Sequence, residues 1–468
     1  MATEVTVIAT SSLGDRSYLA CDGRRAIVVD PQRDIDRVLY LAGEKRVRIT
    51  HVVETHVHND YVSGGLELAR LTGAQYLLAA ADEVGFARMP VSDGDVVPVS
   101  DGLRLRVVAT PGHTFHHLSY VLDEVTDGDW QPVGVFTGGS LLFGTTGRTD
   151  LLGQEYAHDL AHQQYASARR LADLLPDGVQ VWPTHGFGSF CSAGQADAPD
   201  STIGREKQAN PVLRLAADEF VDQTLAGLDD YPAYYAHMGV ANLAGPAPVD
   251  LTPVARADAA ALRERIAAGQ WVVDLRHRKA YAAVHLAGTV SLGLDGPMST
   301  WLGWLIDWGA PLTLLAETPE QIAEAQRELV RIGIDRPAAQ ATGEVERWAA
   351  ERGQLRELRM ADFPALAAAW AGNLPVGLSA PDVVLDVRMT NEWRDGHVTG
   401  AVHIPLPDLP GRLADVPAGT VWVHCGSGYR ATAAATLLAN AGREVVVIDD
   451  KFDRAQAAGL PMTTPPGR

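Results

Sequence analysis

Two sets of residues have the types and spacing of working chemistry. The first is Cys425-Gly-Ser-Gly-Tyr-Arg430, which follows the apolar run Val421-Trp-Val-His424 and precedes the helix-forming stretch Ala431–Ala441. Strand, glycine loop and helix in that order aim backbone N–H groups at one point. A cysteine at the head of the loop lies in that cradle, which favours the nucleophilic thiolate. Gly426 and Gly428 keep side chains away from the sulfur, Ser427 and Tyr429 complete the loop, and Arg430 adds a charge that can clamp an anionic donor. These residues predict a nucleophilic Cys425, against the plainer alternative of a buried structural cysteine before an ordinary helix.

The second set is histidine-rich. The strand-like run His51–Glu54 leads into Thr55-His56-Val57-His58-Asn59-Asp60, with His, His and Asp at alternate positions, a metal-ligand spacing. Thr110-Pro-Gly-His113-Thr and Pro183-Thr-His185-Gly each end another strand-like run. Isolated histidines are usually satisfied core or surface groups. Four of them at strand ends predict a metal cleft, with His56, His58 and His113 as ligands.

The elements that must position these groups are short β-branched runs and amphipathic helices. Runs at Val5–Ala9, Ala26–Asp30, His51–Glu54, Leu103–Ala109, Leu118–Leu122, Val133–Thr137 and Val179–Trp182 read as strands, and Ile35–Gly43, Val62–Thr72 and Asp159–Leu175 as helices. Asp-Gly pairs at 22–23, 93–94 and 101–102 mark turns, so the first part is α/β with much antiparallel pairing. Residues 191–210 are small and polar and read as a long loop, and residues 211–241 as closing helices. Gly245-Pro-Ala-Pro248 and Pro253 then suggest a linker.

Two similar blocks follow, at residues 274–290 and 386–402. Without gaps, Asp274, Arg276, His285, Gly288 and Val290 fall on Asp386, Arg388, His397, Gly400 and Val402, which predicts a duplicated domain. The matching strand of the first copy, Pro311–Ala316, runs into Glu317-Thr-Pro-Glu320, and no cysteine lies between Cys191 and Cys425. One copy therefore has no cysteine nucleophile.

Residues 356 to 465, with Leu385-Asp-Val-Arg388, Gly396-His-Val-Thr-Gly-Ala-Val-His-Ile-Pro405 and the Cys425 loop, resemble a rhodanese domain. That resemblance implies a Cys425 persulfide in a ping-pong scheme. Residues 1 to 240 resemble the metallo-β-lactamase fold, and within it the persulfide dioxygenases fused to rhodaneses, through Glu54–Gly65, Gly147-Arg-Thr-Asp-Leu151, His185–Cys191, Ser201-Thr-Ile-Gly204 and Pro232–Met238. The implied architecture is an α/β chain: a metallo-β-lactamase αββα sandwich at 1–245, a cysteine-free rhodanese-like domain at 255–352 and an active rhodanese domain at 356–468.

The resemblance further implies one Fe(II) held by His56, His113 and a carboxylate, with zinc the alternative. Tyr61 stands where dinuclear hydrolases of this fold place another histidine, which disfavours a second metal. Gly139 stands where the family has its aspartate ligand. His58 or Asp60 completing the sphere, water or substrate filling it, or a metal-poor site are the three outcomes. Arg148 is a candidate clamp for the carboxylate of a thiol carrier, or else part of a salt bridge. Cys191 is either near the metal site or a plain buried thiol, and Cys21 reads as core.

Lys plus Arg total 39 and Asp plus Glu total 58, for a net charge of -19, which argues against nucleic acid and membrane surfaces as partners. Three widely spaced cysteines fit a reducing compartment. With no signal-peptide pattern or bilayer-spanning run, the expectation is a cytoplasmic enzyme, homo-oligomeric as a dimer. Its expected function is sulfide detoxification: oxidation of a small thiol persulfide to sulfite, joined to sulfurtransfer with thiosulfate or sulfite. The alternatives are a glyoxalase II-like thioester hydrolase fused to a rhodanese, and a degenerate first domain beside an active rhodanese.

Overall fold

The computed structural model describes residues 3–186, 188–194 and 198–464. The chain forms two compact units, Met1–Asp250 with Leu329–Gly333, and Leu251–Glu328 with Ile334–Arg468. Among the described residues, no helix is long and apolar enough to cross a membrane.

The first unit is built on two sheets, each six-stranded among the described residues. One runs Glu4–Thr10, Asp15–Cys21, Arg25–Val29, Arg48–Val53, Gln75–Ala79, Met89–Val91 in spatial order, antiparallel at first and parallel from Arg25–Val29 onward. The other runs Ser201–Thr202, Gln180–Pro183, Asp129–Gly138, Leu118–Thr126, Leu103–Ala109, Val96–Ser100. Strand alternation sorts the side chains into layers. Tyr18, Ile27, Val53 and Leu77 meet Leu105, Tyr120, Leu122 and Phe136 between the sheets. Leu19, Cys21, Val28 and Val52 face outward under helices Asp36–Lys45 and Gly65–Thr72. Val121, Val135 and Val181 face the helix Ala157–Leu174 on the other side. The result is the expected αββα sandwich, with Cys21 in its outer core.

Within the expected loop 191–210, of which residues 195–197 lie outside the described residues, residues 201–209 depart from it. They form strand Ser201–Thr202 and helix Ile203–Ala209, whose N-terminus is capped by Thr202 accepting from the Arg205 N–H. Buried Glu206 takes hydrogen bonds from the Gly144 N–H at 2.9 Å and the Asn210 amide at 2.8 Å. Local capping and a buried carboxylate thus order a segment whose polar composition suggests loop.

The second unit holds both copies of the repeat. The first has parallel strands in the order Val290–Ser291, Trp271–Asp274, Leu312–Ala316, Ala339–Thr342. The second repeats that order with Val402–His403, Val383–Asp386, Val421–His424, Val445–Ile448 and adds Arg359–Ala361 at the edge. The aligned residues do the same work in each. Arg276 pairs with Asp274 and Arg388 with Asp386, both at 2.6 Å. His285 donates from Nδ1 to the Tyr281 carbonyl and His397 to that of Trp393, both at 3.1 Å. Gly288 and Gly400 turn at φ 86° and 84°, a conformation that favours glycine.

Candidate functional site

The histidines of the first unit gather at one rim of the sandwich, just past the ends of strands Arg48–Val53, Leu103–Ala109 and Gln180–Pro183. His56, His113 and His185 are buried there, with ring centroids 4.9, 5.5 and 5.1 Å apart. Each ring is oriented by an oxygen at Nδ1. The Thr55 hydroxyl donates to Asp30 Oδ2 at 2.8 Å, so at 2.8 Å from His56 Nδ1 it accepts. His113 Nδ1 donates to the Arg148 carbonyl at 2.7 Å, and His185 Nδ1 to Asp15 Oδ1 at 3.0 Å. That leaves three buried Nε2 atoms with no hydrogen-bond partner among the described residues. The ligand atoms of these three residues lie within 4.8 Å of one another, a grouping suited to a metal ion.

His58, expected among the ligands, is held by carboxylates at Nε2, while its buried Nδ1 has no hydrogen-bond partner among the described residues. Its Nε2 lies 3.3 Å from Asp30, 3.2 Å from Glu54 and 3.0 Å from the Tyr61 hydroxyl. Burial works against its charge, but Asp30 and Glu54 outweigh burial and lift it to about 10. Asp30 is itself fixed by the Thr55 N–H and by the hydroxyls of Thr55 and Thr184, and holds φ 50°, a left-handed conformation these bonds enforce. Asp30 and Glu54 thus fix the orientation of the His58 ring at the ligand loop. Tyr61, wedged at 0 % exposure against His58, occupies the remaining room.

Behind His185 lie two buried carboxylates, Asp15 at 3.0 Å and Asp60 at 3.2 Å. Burial and Asp60 push Asp15 up, whereas Asp60 stays low against burial because His185 and His58 face it. Burial opposes the charge on His185, yet Asp60 and Asp15 lift it to about 9. His113, with no carboxylate in contact, is driven by burial down to about 3. A metal held at His185 Nε2 would have to displace a proton from it.

Gly139 leaves the ligand position without a carboxylate. His117, absent from the expected set, accepts the Gly139 N–H at Nε2 and faces Thr110 at Nδ1, so both its nitrogens are satisfied. The Thr114-Phe-His116-His117 run following His113 is the signal that could have suggested it. Arg148, the candidate clamp, is buried and spans Asp150 at 2.6 and 2.7 Å, with further bonds to the Phe190 and Asp229 carbonyls. Its charge is neutralised within the fold. Cys191 is buried, and burial, with Asp60 and Asp15 nearby, keeps its thiol well above the ordinary range. A cavity of about 520 Å³ opens beside the rim, lined by Val57, Asn59, Thr114, Phe115, Leu152 and Tyr235 among others. Val57 and Asn59 alternate with the rim residues His56, His58 and Asp60, and Thr114 follows His113.

In the second unit, Cys425 is buried directly after strand Val421–His424, and the Gly428 N–H donates to its Sγ at 3.2 Å. Gly428 turns at φ 96°, and a Cβ there would lie 2.1 Å from Asp449 Oδ1, so the loop requires glycine. Helix Tyr429–Asn440 starts at once, pointing its N-terminus at the loop. Arg430 is gripped by Glu392 at 2.6 and 2.8 Å and lies 5.4 Å from the centre of the Trp301 ring. Glu392 in turn is held low, against burial, by Arg430.

The cysteine-free copy braces this loop. The Tyr429 hydroxyl, expected in the anion-binding loop, donates instead to the Gly293 carbonyl at 2.9 Å, and Arg278 holds Asp449 at 2.7 Å while also pairing with Asp295. In that copy, strand Leu312–Ala316 passes through Glu317 and Thr318 straight into helix Pro319–Arg331, with no cysteine-bearing loop.

Residues 15–185 match the family model of the metallo-beta-lactamase superfamily, and residues 373–458 that of the rhodanese-like domain. The mitochondrial persulfide dioxygenase ETHE1 of Homo sapiens is 29% identical over 223 residues, 47% of this chain and 77% of that enzyme. A hydroxyacylglutathione hydrolase of Parasynechococcus marenigrum (strain WH8102) is 33% identical over 225 residues, 42% of this chain and 86% of that enzyme. Among solved structures, a metallo-beta-lactamase from Staphylococcus aureus subsp. aureus COL superposes with a TM-score of 0.65 at 28% identity, covering 74% of this chain and 100% of that one.

Proposed function

Because the chain belongs to the metallo-β-lactamase superfamily, has persulfide dioxygenases among its homologues and carries a rhodanese-like domain at its C-terminus, we propose that it is a two-site enzyme of sulfur metabolism. The first unit oxidises the persulfide of a low-molecular-weight thiol, and the second carries sulfane sulfur on Cys425. The observation that supports the first half most is the set of buried rim imidazoles whose Nε2 atoms have no partner among the described residues. Such donors fit a divalent iron or zinc ion. When bound, an iron ion with open positions supplies the activation of oxygen and of the persulfide sulfur.

The chain's own residues do the rest. Thr55, Arg148 and Asp15 fix the ring orientations, His58 and Asp30 hold the ligand loop, and the apolar cavity receives the body of the thiol. The balanced reaction is RSSH + O2 + H2O giving RSH, sulfite and two protons. In the second unit, the Cys425 thiolate attacks the outer sulfur of thiosulfate, the S–S bond breaks, and sulfite leaves with the bonding pair. The Cys425 persulfide then passes that sulfur to a thiol, giving RSSH. Joining the two sites in one chain raises their effective concentration.

The test is oxygen uptake by anaerobically iron-loaded protein on addition of a thiol persulfide. Uptake with sulfite formation supports the reading; fully loaded protein that consumes no oxygen refutes it. The hydrolase relative supports a second reading, thioester cleavage. Tyr61, tucked against His58, and the absent side chain at Gly139 count against the dinuclear site it would use. Two zinc ions per chain with thioester turnover would favour it.

A further inference from the structure

We infer that Arg278, which belongs to the cysteine-free copy, is a positioning residue for the Cys425 nucleophile: it holds the Asp449 carboxylate behind the sulfur cradle and cancels its charge there. The inference rests on the sulfurtransfer reading above and gives the cysteine-free copy an electrostatic part in it.

The sheet brings Asp449 to the nucleophile. Strands Val421–His424 and Val445–Ile448 run parallel, with Val423 opposite Val447. Two residues beyond that pair stand Cys425 and Asp449. The Asp449 carboxylate lies against Gly428, where an added Cβ would strike its Oδ1. The N–H of that same glycine donates to Cys425 Sγ at 3.2 Å. The Asp449 side chain is only 8% exposed, so water screens it poorly. A lone buried anion in that position opposes a second negative charge on the sulfur.

The countercharge comes from the other copy. Arg278 donates from Nε to Asp449 Oδ1 at 2.7 Å, and Lys279 Nζ stands 3.6 Å from Oδ2. Arg278 also pairs with Asp295, which fixes the guanidinium between two carboxylates. The copies are closely packed here, since a Cβ at Gly296 would strike the Tyr429 ring. In the register of the repeat Arg278 falls on Thr390, so the shared fold does not require an arginine at this position. The other charged groups on the elements around the loop are matched within its own copy. Arg430 pairs with Glu392 and Arg388 with Asp386, both at 2.6 Å, and Arg454 with Asp450 at 3.0 Å, while Lys451 is exposed. His424, held down by burial at about 4, is uncharged at neutral pH. Of these four carboxylates, Asp449 is the one that takes its cation from outside the copy.

The test reads the thiolate directly. Full-length protein, Arg278→Gln, Asp449→Asn and the double variant are treated with iodoacetamide over a range of pH. Peptide mass spectrometry follows alkylation of Cys425 and separates it from Cys21 and Cys191. Arg278→Gln should react about tenfold more slowly at neutral pH, with its pH profile displaced upward. Asp449→Asn should react faster than wild type. The double variant should regain most of the rate lost by Arg278→Gln, a recovery that a purely mechanical brace would not give. Circular dichroism and thermal melts separate these effects from loss of fold, and if Arg278→Gln does not fold, Asp449→Asn decides alone. Folded Arg278→Gln with the wild-type rate and profile overturns the inference. So does Asp449→Asn no faster than wild type, a double variant as slow as Arg278→Gln, or a wild-type Cys425 that resists alkylation at every pH. The expected order of rates in a protein that moves no sulfur from thiosulfate would refute the sulfurtransfer reading and leave the charge pairing standing.

Discussion

Replacing Glu392 by Gln should make the Cys425 loop bind thiosulfate more tightly. Arg430 is the cation beside the loop, yet both its terminal nitrogens are held by Glu392 at 2.6 and 2.8 Å. For a dianionic donor to use Arg430, this pair must loosen. Unit charges about 4 Å apart attract by about 4 kcal/mol at an effective dielectric of 20. The Glu392 side chain is 38% exposed, so solvent screens most of that and about 1 kcal/mol remains. Gln keeps a carbonyl oxygen for the Met389 N–H that caps the helix, bonded at 2.9 Å, so the local fold should survive. The freed guanidinium then favours the donor by about 1 kcal/mol, roughly a fivefold lower KM for thiosulfate. The assay is steady-state transfer from thiosulfate to an acceptor thiol, read as KM and kcat separately, with a urea melt as control. An unchanged or higher KM in a folded variant would refute the reasoning, because it would mean that Glu392 does not restrain Arg430 or that Arg430 does not meet the donor.

Cys425→Ser should abolish transfer from thiosulfate while leaving the fold intact, and mass spectrometry should find no added sulfur on the variant after thiosulfate treatment. Tyr429→Phe removes the hydroxyl bonded to the Gly293 carbonyl and should cost about 1 kcal/mol, measured as a lower urea midpoint. Burial holds His424 down at about 4, whereas an unfolded histidine titrates near 6.5. Between those values the unfolded chain takes up a proton that the folded chain refuses. Stability should therefore fall as pH is lowered through that window, by about 3 kcal/mol at its acid end. His424→Leu should flatten the slope of stability against pH there, measured by urea unfolding.

The Cys425 loop and the repeat were legible because each depends on local order. Strand, glycines and helix lie consecutively in 421–441, and the paired Asp-x-Arg motifs keep one register. His56 and His113 were legible as strand-end histidines. The direction in which each ring turns was not. His58 has the spacing of a ligand, but which of its nitrogens Asp30 and Glu54 hold could not be read, because Asp30 comes from a different strand end. His185 was recognised as one of the four rim histidines, but its orientation was not legible, since it depends on Asp15, which lies 170 residues away in the chain. Arg148 reads as an available cation until Asp150, two positions on, is seen to fold back on it. Gly139 could be read as a missing ligand, while its steric meaning required the position of the His113 ring. The helix Ile203–Ala209 was hidden by a polar composition that its buried Glu206 offsets.

The central claim joins two chemistries in one chain, and oxygen uptake with sulfite trapping tests it most directly. Iron-loaded wild type and Cys425→Ser are each given a thiol persulfide, or else thiosulfate with the parent thiol. With persulfide supplied directly, both proteins should consume one oxygen per persulfide and release one sulfite. With thiosulfate and thiol, only wild type should consume oxygen, because the persulfide must first be made at Cys425. Iron-replete wild type that consumes no oxygen under either condition would contradict the account.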